Sequence, residues 1–95
     1  MEVELINLRH GTALGLKIDL GAAPLLVIKG SKGYAMCGYL NIETANKLKD
    51  VAVVAKGVRN FEELLNAKVV EVSDKAKELG ISKELSIIEA LEKMF

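Results

Sequence analysis

The chain has no tryptophan and no glutamine, and it has only one cysteine, one histidine and one proline. A lone thiol at Cys37 excludes an intramolecular disulfide and any zinc site built from several thiolates. With His10 as the single imidazole, a structural metal centre would have to recruit carboxylates at no recognisable spacing, so neither a metal nor another cofactor is expected. Charge of one sign is also lacking: 13 basic residues balance 13 acidic ones. No global field draws in nucleic acid or an anionic membrane, and neither is expected as a partner. Long apolar runs are missing too. The segment GAAPLLVI falls far short of the ~20 residues that span a bilayer, and MEVELINL lacks the basic start of an export signal. With a free cysteine, these features point to the reducing cytoplasm.

What the chain does have is apolar material, at 51% of residues against 27% charged. That composition folds without disulfides or metal. Ninety-five residues suit a single domain that buries roughly 60–70% of the surface its unfolded chain exposes. No repeat, low-complexity tract or linker composition divides it, so residues 1–95 are read as one unit.

The first half has strand periodicity. Val3, Leu5 and Ile6 lead to a turn at Arg9-His10-Gly11-Thr12. Leu14, Leu16, Ile18 and Leu20 then alternate with Ala13, Gly15, Lys17 and Asp19, which predicts a hairpin with the leucine-bearing face buried. Pro24 opens the run PLLVI, and Gly30-Ser31-Lys32-Gly33 turns the chain into YAMCGYL, a second hairpin.

From Asn41 onward, strands alternate with capped helices. Asn41 precedes IETANKLK, VAVVA at 51–55 reads as a buried strand, and Asn60 with Glu63 has capping-box spacing before FEELLN. AKVVEV alternates as a strand, Ser73 opens a helix stopped by Gly80, and Ser86 with Glu89 starts a final amphipathic helix. The expected architecture is α+β or α/β: two N-terminal hairpins followed by β-α-β-α-β-α-α. It forms a mixed sheet of about six strands with helices mainly on one face.

Several residues are candidates for chemistry. Gly30-Ser31-Lys32-Gly33 lacks Walker spacing and a following helix, so hairpin geometry accounts for its glycines. Cys37 is a candidate nucleophile only as a thiolate. Its apolar neighbours favour a packing role; His10 fits a surface turn beside Gly11, and a Cys37–His10 pair is conceivable but not indicated. Asn41, Asn60 and Ser73 each follow a strand, and AKGVRN adds Lys56, Gly57 and Arg59 at a strand's carboxyl end. In open α/β sheets ligands collect beyond those ends, so Asn41, Lys56, Gly57, Arg59 and Ser73 form the candidate binding set for a small anionic ligand. The alternative is that the polar residues cap their helices and the charges are solvated. Glu62 and Glu63 fit dipole partners of a helix start better than acid–base catalysts.

GYAMCG at 33–38 and GVRNFEELLNAKVVEVSDKAKELGI at 57–81 resemble the YunC-like family, domain of unknown function 1805. The likeness runs from about Pro24 to the end, carried by Met-Cys-Gly after Gly-Tyr, then Gly-Val, Leu-Leu-x-Ala, Val-Ser and Leu-Gly-Ile. Relatives often carry Asp at the position of Asn41 and Gly-Met at Glu84-Leu85, and the first departure speaks against an acid role at position 41. The resemblance implies a small single-domain α/β protein of bacteria and archaea, and it brings no activity, cofactor or catalytic residue with it.

Two functions follow as expectations. One is a binding protein for a small anionic metabolite, with or without catalysis. The other is a structural or interaction module that self-associates through exposed strand edges and the terminal ALEKMF stripe.

Overall fold

A computed structural model describes all 95 residues. Six strands follow one another across the sheet in chain order: β1 (Glu2–Asn7), β2 (Thr12–Asp19), β3 (Pro24–Lys29), β4 (Tyr34–Met36), β5 (Ala52–Val54) and β6 (Glu71–Val72). Neighbours pair antiparallel except β4 and β5, which are parallel because α1 (Ile42–Lys47) carries the chain back between them. The remaining helices are α2 (Phe61–Asn66), α3 (Asp74–Glu78) and α4 (Ile87–Glu92). The two hairpins, the strand–helix alternation and the mixed six-stranded sheet all match the sequence reading. The strand that starts at Tyr34 is shorter than YAMCGYL suggested, ending at Met36.

The two faces of the sheet are covered unequally. One carries Ala13, Leu26, Ile28, Ala35, Val53 and Val72, and onto it pack α2, α3 and α4 through Phe61, Leu64, Ala76, Ile87, Leu91 and Met94. On the other face α1 covers only the β4–β5 end, where Ala45 meets Met36, Ala52 and Val54. Helices thus lie mainly on one face.

This assignment reverses the expected parity of β2. Ala13 and Gly15 are buried, whereas Leu14 is 44% exposed and Leu16 and Ile18 are only partly covered. Residue size decides the matter. A Cβ at Gly15 would stand 2.9 Å from the Phe61 ring, so the helical layer approaches closest where the strand is smallest. Leucines on that face would hold the layer off.

Close approach also explains the loop at 30–33, whose glycines do not serve a left-handed turn, as the hairpin reading assumed. A Cβ at Gly33 would lie 2.5 Å from the Val51 carbonyl oxygen, and one at Gly30 3.0 Å from that of Met94. Nearby, the Tyr34 hydroxyl donates to the Asp50 carboxylate at 2.7 Å. Burial, reinforced by that bond and the carboxylate's charge, pushes the Tyr34 phenol up to about 12.

The terminal ALEKMF segment is core, not an exposed stripe: Ala90, Leu91 and Met94 are fully buried. Behind it, Glu92 ties α4 to the β1–β2 turn by accepting from the Arg9 and His10 amides and pairing with His10 Nδ1, each at 2.9 Å. Partial burial pushes the Glu92 carboxyl up. The hydrogen bonds from Arg9 and His10 outweigh it and hold the group below the ordinary carboxylate range.

Candidate functional site

Because β4 and β5 are parallel, the segments that leave them emerge at one edge of the sheet, where the antiparallel β3 begins. Three segments meet there: Ala23–Pro24 at the start of β3, Cys37–Tyr39 after β4 and Gly57–Arg59 after β5. They enclose a cleft of about 350 Å³, within the ~300–1,000 Å³ range of small-molecule sites. Gly57 sits at φ +74°, a left-handed conformation that costs a glycine little and lets the chain bend sharply from β5 toward α2.

Each wall is fixed by a specific contact. Cys37 forms the floor; it is 4% exposed, and its Sγ accepts the Leu26 amide at 3.3 Å while its own amide donates to the Leu26 carbonyl at 3.0 Å. The exposed Tyr39 donates its hydroxyl to the Ala23 carbonyl at 3.2 Å, closing one side. Arg59 extends its guanidinium across the opening, with Nη1 3.4 Å from the Ala22 carbonyl oxygen. None of the four ion pairs in the molecule involves Arg59, and no carboxylate lines the cleft. Glu63, four residues on, accepts the Arg59 backbone amide at 2.9 Å instead.

The other sequence candidates divide. Asn41 and Lys56 come together in a second cleft of about 320 Å³ on the far side of Gly38 and Tyr39, where Glu43 and Glu71 offset the lysine. Cys37, Gly57 and Arg59 belong to the first cleft. Ser73 joins neither, which corrects its placement in the binding set. Strand β6 runs antiparallel to β5, so the carboxyl end of β6 lies at the opposite edge, beside Ala52. There Ser73, fully buried, accepts from the Ala52 and Ala76 amides at 2.9 and 3.2 Å and donates to the Asp50 carbonyl at 2.8 Å.

The expected anion-binding helix starts are likewise occupied by the chain's own side chains. Asn41 Oδ1 accepts the Glu43 amide and Asn60 Oδ1 the Glu63 amide, both at 2.7 Å. A six-residue helix also sums few peptide dipoles, so the anion-attracting feature of this edge is the Arg59 side chain.

A Cys37–His10 pair is ruled out by topology. His10 lies at the opposite end of the sheet with Glu92, and the six residues of β3 between the two ends span ~20 Å. A third cleft, of about 520 Å³, opens at that far end between the turn and α4. Its two carboxylates are engaged, Glu92 by the turn and Glu89 by the cap at Ser86, whose backbone and hydroxyl hydrogen bonds hold Glu89 below the ordinary carboxylate range. No three His, Cys, Asp or Glu side chains gather as metal ligands.

The family model described as domain of unknown function DUF1805 matches residues 36–94. The chain belongs to the DUF1805 family. The match takes in Cys37, Gly57 and Arg59 and thus two of the three segments around the cleft. Among DUF1805 relatives, the Uncharacterized protein YunC of Bacillus subtilis (strain 168) is 37% identical over 81 residues, spanning 81% of this chain and 80% of that one. The crystal structure of a protein of unknown function, TA1206 from Thermoplasma acidophilum, superimposes with a TM-score of 0.94 at 46% identity, covering 99% of this chain and 92% of that one.

Sequence reasoning missed Ala23, Pro24, Gly38, Tyr39 and Val58 as cleft residues. Adjacency was the available signal for three of them: Gly38 and Val58 neighbour Cys37 and Arg59, and Tyr39 lies one residue further on. The contribution of the Ala23–Pro24 loop depends on β3–β4 pairing, which no local pattern reveals.

Proposed function

We propose that this protein binds a small anionic metabolite in the cleft beyond the carboxyl ends of β4 and β5, with Arg59 as the anchoring charge. The observation that carries the reading is a guanidinium without a carboxylate partner at the mouth of a cleft that contains no acid. A planar fork of donors suits a carboxylate or phosphate group, and the apolar walls suit the body of a small molecule. The cleft of Asn41 and Lys56 fits an anion less well, because Glu43 and Glu71 share it. Cys37 contributes the shape of the floor, being buried and bonded to Leu26.

Thermal denaturation in the presence of inorganic phosphate, citrate, short carboxylic acids and nucleoside monophosphates tests this. A ligand at a hundred times its dissociation constant stabilises by about 2.7 kcal/mol, or roughly 10–20 °C for a domain this small. Arg59→Ala removes a charge-assisted contact of about 1.5–3 kcal/mol and should take away most of that rise. A stabilising anion whose effect survives Arg59→Ala would place its site elsewhere.

A further inference from the structure

The face of β1, β2 and β3 turned away from the main helical layer is apolar, and it is open at β1 and Leu14 and partly covered further in, where Leu16, Ile18, Leu25 and Val27 are half-buried. Register places Val3, Leu16 and Val27 side by side in one rung, Leu5 and Leu14 in the next, and Ile18 opposite Leu25 in another. Val3 is 60% exposed, Leu5 71% and Leu14 44%. The polarity of the first part of β1 is inverted for a free edge strand: Glu2 and Glu4 stand on the face that holds the core, where only Ile6 reaches the apolar cluster, while Val3 and Leu5 stand on the open one. Three strands about 4.8 Å apart and about seven residues long present on the order of 340 Å² in projection. That is as large as the largest apolar patch on a typical monomer, which is often functional.

We propose that this face packs against the same face of a second copy of the chain, sheet on sheet about a two-fold axis. Charge and shape both favour a copy over a different partner. The one charged residue on this face of β1–β3 is Lys29, the last residue of β3, so each copy brings a single charge to the contact and brings it at the margin of the patch. The surface also has the form of a step, with bare sheet at β1–β3 and α1 standing on β4–β5. Packed sheets lie ~10 Å apart, about the diameter of a helix. A two-fold axis parallel to the strands brings α1 of each copy alongside the β1 edge of the other, whereas an axis across them would set α1 against α1 and hold the sheets apart. The two sheet patches bury on the order of 700 Å² in projection, and contact along the α1 flanks raises this toward the ~1,200 Å² of a specific interface. The contact differs from edge-to-edge pairing and leaves the Arg59 cleft open at the end of the sheet.

Sedimentation of the full chain and of Leu14→Glu tests the proposal. Leu14 sits on an interior strand, so edge pairing leaves it in water while face packing buries it in both copies. The wild type should be a dimer at micromolar concentration. Leu14→Glu should weaken it by at least about a hundredfold, tenfold for each copy's buried glutamate, while circular dichroism shows an intact fold. Leu5→Glu, at a more exposed position, supplies the same test should Leu14→Glu fail to fold. A monomeric wild type, or a dimer that survives a folded glutamate variant, overturns the proposal.

Discussion

Replacing Ser73 with alanine separates a structural role from a binding one. The hydroxyl satisfies three backbone groups at a fully buried point: the Ala52 and Ala76 amides and the Asp50 carbonyl. Removing it deletes the cap of α3, worth about 1 kcal/mol. It also leaves the buried Ala52 amide and the part-buried Asp50 carbonyl without their partner, at about 1–3 kcal/mol for each unsatisfied group. The sum is about 3–7 kcal/mol, a large share of the ~5–15 kcal/mol that holds a domain together, and it lowers the melting temperature by more than about 10 °C. Ser86→Ala is the control. It removes a cap of the same chemistry at α4, where the surrounding groups can reach solvent, and should cost only about 1 kcal/mol. Chemical denaturation of both variants, with ligand binding measured below the melting point, gives the comparison. Equal costs would refute the burial argument. Loss of binding by folded Ser73→Ala would return Ser73 to the ligand site.

Two further outcomes follow from close contacts. Gly33→Ala drives a Cβ into the Val51 carbonyl, a backbone obstacle that can yield only by moving β5 from β4, and should cost about 2 kcal/mol of denaturant stability; a neutral result would mean that the two strands have slack. Glu92→Gln tests the tie between α4 and the β1–β2 turn. The folded state depresses this carboxyl, so its contribution is complete above the ordinary value of 4.5 and is lost as pH falls through the folded one. Wild type should lead the variant in urea at neutral pH and converge with it in acid, and a gap that persists at low pH contradicts the assignment.

Much of this fold is legible in the sequence because local signals agree with one another. Asn41, Asn60, Ser73 and Ser86 each stand at the N-cap of a helix, and every strand falls within a run read as one, although AKVVEV yields only the two residues of β6. What resists reading depends on contacts distant in the chain. The alternation in β2 identifies two faces but not which one meets the helices, a choice made by the Phe61 ring against Gly15. The cleft was half visible: Gly57 and Arg59 follow β5, and Cys37 follows β4. Ser73 shares their local grammar, a polar cap after a strand, yet the antiparallel course of β6 carries it to the other edge. Strand direction is a property of the assembled sheet.

The site itself is tested most directly by amide chemical-shift mapping with whichever anion of the melting panel raises the melting temperature. Binding at the cleft should move the amides of Gly38, Tyr39, Gly57 and Arg59 together and leave those of Ser73 and Asp74 unchanged. Shifts centred on Ser73, on the Glu92 tie or on the open face of Leu14 would contradict the account.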